Sequence, residues 1–446
     1  MKLSRRDALK LGGAVAASLA TTAAAAVPPK AEKSADPAPL PKAKGTRVVV
    51  VGGGWSGLSV AKYTKLYAPD ADVVLVEQRD VFLSCPVSNM WLVDKVELDF
   101  ITHDYLQAAR NGNYTYFHAA ATGVDKKNNI LHTSSGDIAY DYLVLAPGID
   151  YDYSFWTDNP ALERRLRQEY PAAFRPGSEH MTLKHKIRNF KGGTFLMTVP
   201  SGNYRCLPAP YERACLIADY FKHNKIKGKV LLLDENQDIT IKEHGFHTAF
   251  NELYKGYIQY EPNAKISTFD LDNKVVETEF DEFAFDDASF YPHVRGGRLL
   301  EVCGVAKDTV YNRLEGDIDP MTYEVHGHPD IYITGDARPT GFSKSGNTSL
   351  SEGRNVAKML AARLNKQPRL HWMSPVTLCI SAVSAFPERG IFIHSEYAYN
   401  KKHKQFEFAT PVTDEVWKGQ EGLDNARNIY GWAEACYIDM FGEAQS

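Results

Sequence analysis

Short apolar runs, each ending in glycine or an acid, dominate the pattern along this chain. Arg47-Val48-Val49-Val50-Val51 is a continuous β-branched run, as expected of a strand buried on both faces. Gly52-Gly53-Gly54-Trp55-Ser56-Gly57 follows at once. Helical periodicity then runs from Leu58 to Tyr67, and a second buried run, Val73 to Val76, ends in Glu77 and Gln78. The segment Tyr140 to Gly148 repeats the pattern, a strand entering the small-residue turn Ala146-Pro147-Gly148. Ile331-Tyr332-Ile333 repeats it again, before Thr334-Gly335-Asp336. Between these lie Gly193 to Val199, a helix near Tyr211 to His223, and Lys229 to Asp234. Strands alternating with helices predict an α/β chain built on parallel sheets.

The first turn has the spacing of a dinucleotide fingerprint. Gly52 permits the tight turn, Gly54 lets a pyrophosphate approach the backbone, and Gly57 lets helix pack on strand. Phosphate would sit at the helix N-terminus, beside Trp55 and Ser56, and Glu77 would accept ribose hydroxyls from 20 residues beyond Gly57. The second strand–helix–strand unit lacks this signal. Its turn, Pro200-Ser201-Gly202-Asn203-Tyr204-Arg205-Cys206-Leu207-Pro208-Ala209-Pro210-Tyr211, sets prolines and bulky side chains where a pyrophosphate would lie. That lobe is expected not to bind NAD(P)H, so the electrons come from another donor.

Composition narrows the class. With 446 residues there is room for two to three domains, and 44% hydrophobic residues with a net charge of -4 give no basic excess for nucleic acid. No window reaches the 18 or so uncharged apolar residues of a membrane span, so no stable membrane insertion is expected. The six cysteines (Cys85, Cys206, Cys215, Cys303, Cys379, Cys436) show no C-x-x-C or C-x-x-C-H spacing. Zinc and covalent haem on this chain are therefore not expected, and His244 and His247 read as isolated. Cys215, Cys303 and Cys436 read as core hydrophobes. Lys401-Lys402-His403-Lys404 reads as a hairpin or loop surface.

The N-terminus reads as an address. Ser4-Arg5-Arg6-Asp7 precedes an Ala/Gly-rich apolar run that ends in small residues near Ala24 to Ala26. Residues 1–26 are expected to form a signal peptide of the Tat type, with a Sec signal as the alternative. Residues 27–44, rich in Pro, Ala and Lys, read as a linker.

The Tyr140–Gly148 and Ile331–Ala337 segments resemble the two distal FAD signatures of the two-dinucleotide-binding-domain flavoproteins, of disulfide-reductase-like fold. That resemblance implies FAD, with Asp336 on its ribityl chain. From Cys206 to Ala214, and across Val48 to Phe441 with Tyr430-x-Trp432, the chain further resembles the flavoprotein subunit of flavocytochrome c sulfide dehydrogenase, a neighbour of the sulfide:quinone oxidoreductases. This resemblance implies that Cys206 and Cys379 form a redox disulfide beside the flavin, and that Cys85 tethers FAD through its 8α-methyl group. A disulfide is the natural electrophile for hydrosulfide, and its opening leaves a persulfide and a thiolate. Glu212 reads equally as a proton carrier or as a solvated helix residue or ion-pair partner of Arg213. Arg213 is a candidate for favouring thiolate, and Lys344 a candidate for positive charge near the flavin. The chain departs from the family at Leu207 and Ala209, where a double proline is usual, at Leu378 and Ile380, and after Asp336.

The expected architecture is two Rossmann-like domains plus a C-terminal interface or dimerisation-type domain. Its segments are an FAD domain in two parts, 45–155 and 293–364, a second Rossmann-like lobe at 156–292, and a C-terminal domain at 365–446. The resemblance implies a periplasmic enzyme oxidising sulfide to sulfane sulfur or polysulfide. Electrons would pass to a c-type cytochrome, either a partner subunit carrying the haem or a soluble protein. The alternatives are a sulfide:quinone oxidoreductase and a non-catalytic flavin-bearing electron-transfer or assembly protein.

Overall fold

The computed structural model describes residues 36–442; the expected signal peptide, and the expected linker as far as residue 35, lie outside them. The remainder of that linker lies along a sheet edge, where Ala38 donates its amide to the Asp137 carbonyl at 2.9 Å.

The central sheet is formed by Thr115–His118, Asp72–Glu77, Arg47–Val51, Tyr142–Leu145 and His328–Ile333, in that spatial order, all parallel, with the short antiparallel strand Glu324–Val325 at one edge. Val48, Val49 and Val50 are fully buried, which explains why their run does not alternate. The register pairs Val51 with both Val76 and Leu145, and Leu145 with Ile333. One carboxyl edge therefore carries Gly52, Glu77, Ala146 and Thr334 side by side, though 282 residues of sequence separate the first from the last. Parallel strands bring ligand-binding turns to that edge.

Two helices cover this edge, Trp55–Tyr67 and Gly346–Leu364. They touch backbone to backbone, since a Cβ on Gly353 would lie 2.6 Å from the Ser56 carbonyl oxygen. The turn below is equally tight. Gly52 has φ +102°, and a Cβ on Gly57 would lie 1.8 Å from the Gly52 oxygen, so no side chain is tolerated there.

The second lobe is a parallel sheet of Ile258–Glu261, Gly228–Asp234, Gly193–Val199 and Asp287–Ser289, with the helix Ala209–His223 packed on it. Beyond residue 364 comes the antiparallel pair Thr377–Ala385 and Glu388–Ser395, joined by Val412–Asp414. The chain then enters the helix Gly419–Phe441, which buries Ile429, Ala433, Tyr437 and Phe441. The lysine run forms the turn between Tyr397–Asn400 and Gln405–Phe408. No helix among the described residues is long and apolar enough to cross a membrane.

Candidate functional site

The helix Trp55–Tyr67 starts at Gly54 with no side-chain cap and no acid in its first turn. Its first amides are therefore free to bind an anion. A Cβ at Gly54 would meet no atom within 4 Å, so the backbone there faces open space. Beside it the buried Glu77 accepts the Gly53 amide at 2.6 Å and the Arg79 guanidinium at 2.9 Å. Burial opposes its charge, but these hydrogen bonds outweigh it and hold the carboxyl below its usual range. Gln78 is exposed, with its carbonyl bonded to His118. Ser56 is buried and bonded to the Thr334 hydroxyl at 3.1 Å; Trp55 stacks on Tyr437, its indole nitrogen buried without a partner.

Across the edge, Gly148 has φ +68° and open space where a Cβ would stand. Gly335 donates to the buried Glu352 at 2.9 Å, which aims the next residue, Asp336. The Asp336 carboxylate accepts the Ser349 hydroxyl at 2.9 Å and lies 3.2 Å from Arg205 Nε. An uncapped helix start, an acid at the neighbouring strand end and a second acid across the edge match the polar groups of a dinucleotide, so the residues fit FAD.

The second lobe closes its equivalent position with its own side chains. Asp234, at the end of Gly228–Asp234, takes the Tyr211 hydroxyl at 2.7 Å and the Tyr260 hydroxyl at 2.9 Å. Two tyrosine rings thus cover the acid at this strand end.

One pocket gathers residues that are far apart in sequence. Cys85, Arg205, Cys206, Glu212, Cys379 and Trp432 all line it. Cys206 is held in a left-handed backbone conformation, φ +58°, by its amide bond to the Lys344 carbonyl at 2.7 Å and by its own carbonyl, which accepts Ala209 N. A non-glycine residue in that region is mildly strained, and such strain tends to gather at functional sites. Cys379 lies on Thr377–Ala385, paired with Ile393. Both cysteines are free thiols here and line the same pocket. Their acidities diverge. Interaction with Cys379 and burial push the Cys206 thiol up, whereas the same interaction, with Lys242 and Ser381, pulls Cys379 down against the cost of burial.

Glu212 is partly buried and makes no ion pair with Arg213. It accepts the Ala382 amide at 3.1 Å and the Asn89 amide at 3.3 Å, and burial raises its carboxyl to about 7. Arg213 is turned away from the sulfurs, spending its donors on Asn89 and on the carbonyls of Ala172 and Ala173, with its guanidinium over Phe174. The Lys344 ammonium is likewise committed, to Glu315 and the Asp336 carbonyl at 2.7 Å each; its backbone, rather than its charge, reaches the site. Burial raises the Cys85 thiol, opposed by Arg205, Arg79 and Arg213. Cys215, Cys303 and Cys436 are buried in apolar clusters.

Sequence reasoning passed over Lys242, Arg205 and Asn89. None stands in a recognisable spacing, and only folding places them here. The expectation that His247 stands alone is corrected. Its Nε2 is 2.7 Å from Asp238, and Glu243 completes a group whose ligand atoms lie within 4.8 Å of one another, on an exposed surface.

Residues 181–290 match the family described as sulfide dehydrogenase (flavocytochrome c) flavoprotein chain, central, and residues 46–156 match pyridine nucleotide-disulphide oxidoreductase. A sulfide dehydrogenase (flavocytochrome c) flavoprotein chain of Chlorobaculum thiosulfatiphilum is 54% identical over 43 residues, 10% of this chain and 90% of that sequence. The mitochondrial sulfide:quinone oxidoreductase of Dictyostelium discoideum is 28% identical over 202 residues, 42% of this chain and 41% of that protein, so under half of the relative is spanned. The mouse protein of the same name is 22% identical over 67% of each chain. Among solved structures, the sulfide:quinone oxidoreductase of Aquifex aeolicus superposes with a TM-score of 0.69 at 17% identity, covering 90% of this chain and 92% of that one.

Proposed function

The chain belongs to the flavocytochrome c sulfide dehydrogenase flavoprotein family, and from that premise we propose that it oxidises sulfide to sulfane sulfur or polysulfide through Cys206 and Cys379. The observation that carries this reading is the meeting of these two sulfurs with Glu212 in one pocket. In the oxidised enzyme the pair is a disulfide. Hydrosulfide attacks one sulfur, forming a persulfide there, and the electrons of the broken S–S bond leave on the other as thiolate. Glu212, partly buried and poised near neutrality, holds or releases the proton that this exchange moves.

FAD would be held by the amides of the Gly52–Gly57 turn at its pyrophosphate, by Glu77 at a ribose, by Asp336 at the ribityl chain and by the Ala146-Pro147-Gly148 turn, with Cys85 as covalent tether. When bound, it supplies the ability to accept two electrons and release them one at a time. Asp336, paired with Arg205, keeps the polar end of the site ordered. The acceptor in this reading is a c-type cytochrome, and the enzyme works in the periplasm after export through the Tat route. A quinone acceptor is the second reading, favoured by the relatives named sulfide:quinone oxidoreductase.

Anaerobic sulfide titration of the purified flavoprotein, followed in the visible spectrum, tests the proposal. Bleaching in the wild type and its loss in Cys206→Ser and Cys379→Ser are expected; bleaching unchanged in both variants rejects the cysteine mechanism. Reduction of cytochrome c against reduction of a soluble quinone then assigns the acceptor.

A further inference from the structure

We propose that Lys242 is a positioning residue that makes Cys379 the leaving sulfur of the pair, so that hydrosulfide adds to Cys206. The proposal rests on the reading of the pair as the sulfide site and adds a direction to its opening.

Lys242 reaches the cysteines from the second lobe, 137 residues from Cys379 in sequence. Its Nζ lies 2.6 Å from Ser381 Oγ, 3.2 Å from the Cys379 carbonyl oxygen and 3.8 Å from Cys379 Sγ. An ammonium has three N–H donors, and here three acceptors surround it, two of them on Cys379 itself. The side chain is aimed by unusual backbone. Lys242 stands in the left-handed region, φ 55° and ψ 42°, immediately before the helix Glu243–Glu252, and is only 3% exposed. A buried cation is weakly screened, so its field falls on its neighbour rather than on solvent.

Cys206 has no such partner among the hydrogen bonds around it. Arg205 is bound to Asp336 and the Phe174 carbonyl, and Arg213 to Asn89 and two carbonyls. The charged groups nearest the two sulfurs are Lys242, bonded on the Cys379 side, the Glu212 carboxyl, and towards Cys206 the Arg205 guanidinium, whose charge is already paired with Asp336. The acidities of the two thiols diverge in the same sense.

The chemical consequence follows from thiol exchange, where the sulfur of lower pKa leaves faster. HS⁻ bonds to Cys206 Sγ as the Cys206–Cys379 bond breaks. Its electron pair goes to Cys379 Sγ, which becomes a thiolate beside Lys242 and Ser381. Cys206 is left as the persulfide Cys206–S–SH, its proton within the reach of Glu212 chemistry. The sulfide sulfur is oxidised, and the disulfide is reduced by the same two electrons.

Two measurements on the holoprotein test this. In the first, the protein is reduced with a thiol reductant, freed of it, and alkylated with iodoacetamide across a pH series, each cysteine being read by peptide mass spectrometry. Wild-type Cys379 should react about tenfold or more faster than Cys206 at neutral pH, the ratio that about one unit of pKa difference produces. Lys242→Met should move the onset of Cys379 alkylation up by about one pH unit or more, as loss of a neighbouring cation does, and Lys242→Arg should largely restore it. Equal onsets in the wild type, or an onset unmoved in Lys242→Met, overturn the role of Lys242. In the second, the oxidised protein is exposed to sulfide and the persulfide trapped: extra sulfur on Cys206 supports the proposal, and extra sulfur on Cys379 overturns the direction of attack. Persulfide on neither cysteine rejects the sulfide reading itself, while the alkylation order still decides what Lys242 does.

Discussion

Glu212 accepts the backbone amide of Ala382 at 3.1 Å, so the acid in the first turn of the helix that follows Cys206 is bound to the strand that carries Cys379. The two sulfur-bearing segments are thus fastened together by the group best placed to manage their proton.

This partly buried acid makes stability depend on pH. Burial raises the folded-state pKa of Glu212 to about 7, above its unfolded value. The folded protein therefore binds the proton more tightly, and the stability so gained is present below the unfolded pKa and lost as pH rises through about 7. Glu212→Gln should raise the melting temperature relative to wild type at pH about 8 and leave it nearly unchanged at pH about 5, the difference amounting to a few kcal/mol at most. A gain of equal size at both pH values would place the carboxyl outside this titration.

Asp336 joins two parts of the site through Ser349 and Arg205. Asp336→Ala leaves Arg205 buried without its carboxylate, a loss worth about 3–5 kcal/mol in comparable cases. Asp336→Asn keeps a hydrogen-bond acceptor for Ser349 and should retain the fold but lower the flavin-to-protein absorbance ratio after desalting. A full flavin complement in Asp336→Asn would remove the carboxylate from flavin binding.

Cys85 lines the pocket with its sulfur 3.8 Å from the Phe174 carbonyl oxygen. In acid-precipitated wild type the yellow chromophore should stay with the pellet, and in Cys85→Ser it should pass to the supernatant. Release from the wild type would show that no tether forms.

Arg338 and Glu352 form a fully buried ion pair, Nε 3.1 Å from Oε1 but not aligned for a hydrogen bond. Glu352 also holds the Gly335 amide, and burial raises its carboxyl to about 7 despite Arg338. Arg338→Met should cost about 3–5 kcal/mol in denaturant unfolding, and adding Glu352→Leu should recover part of the loss. No recovery in the double variant would mean that Glu352 matters mainly through Gly335.

Much of the nucleotide half was legible because its signals are local. Gly52, Gly54 and Gly57 are read from spacing, since backbone geometry allows little else in that turn, and the buried valines announce a strand covered on both faces. The cysteine half was less so. Resemblance singled out Cys206 and Cys379, but not the bonds around them. Glu212 stood equally as a solvated residue or a proton carrier, and only the packing of Ala209–His223 against Thr377–Ala385 tied it to the Ala382 amide and partly buried it. Arg213 and Lys344 were judged by their charge, which the fold directs to other partners.

By itself the sequence determined the alternation of strand and helix, the glycine turn and the acids at strand ends, because these depend on backbone sterics and on side chains a few residues apart. Only the tertiary structure decided which buried charges face which sulfurs. Lys242 is ordinary in sequence, and becomes the cation beside Cys379 because a left-handed turn and the hairpin of Thr377–Ala385 converge where water cannot screen it. Electrostatics in a low-dielectric pocket depends on distances of a few ångströms between segments far apart in the chain, and local pattern carries no record of those distances.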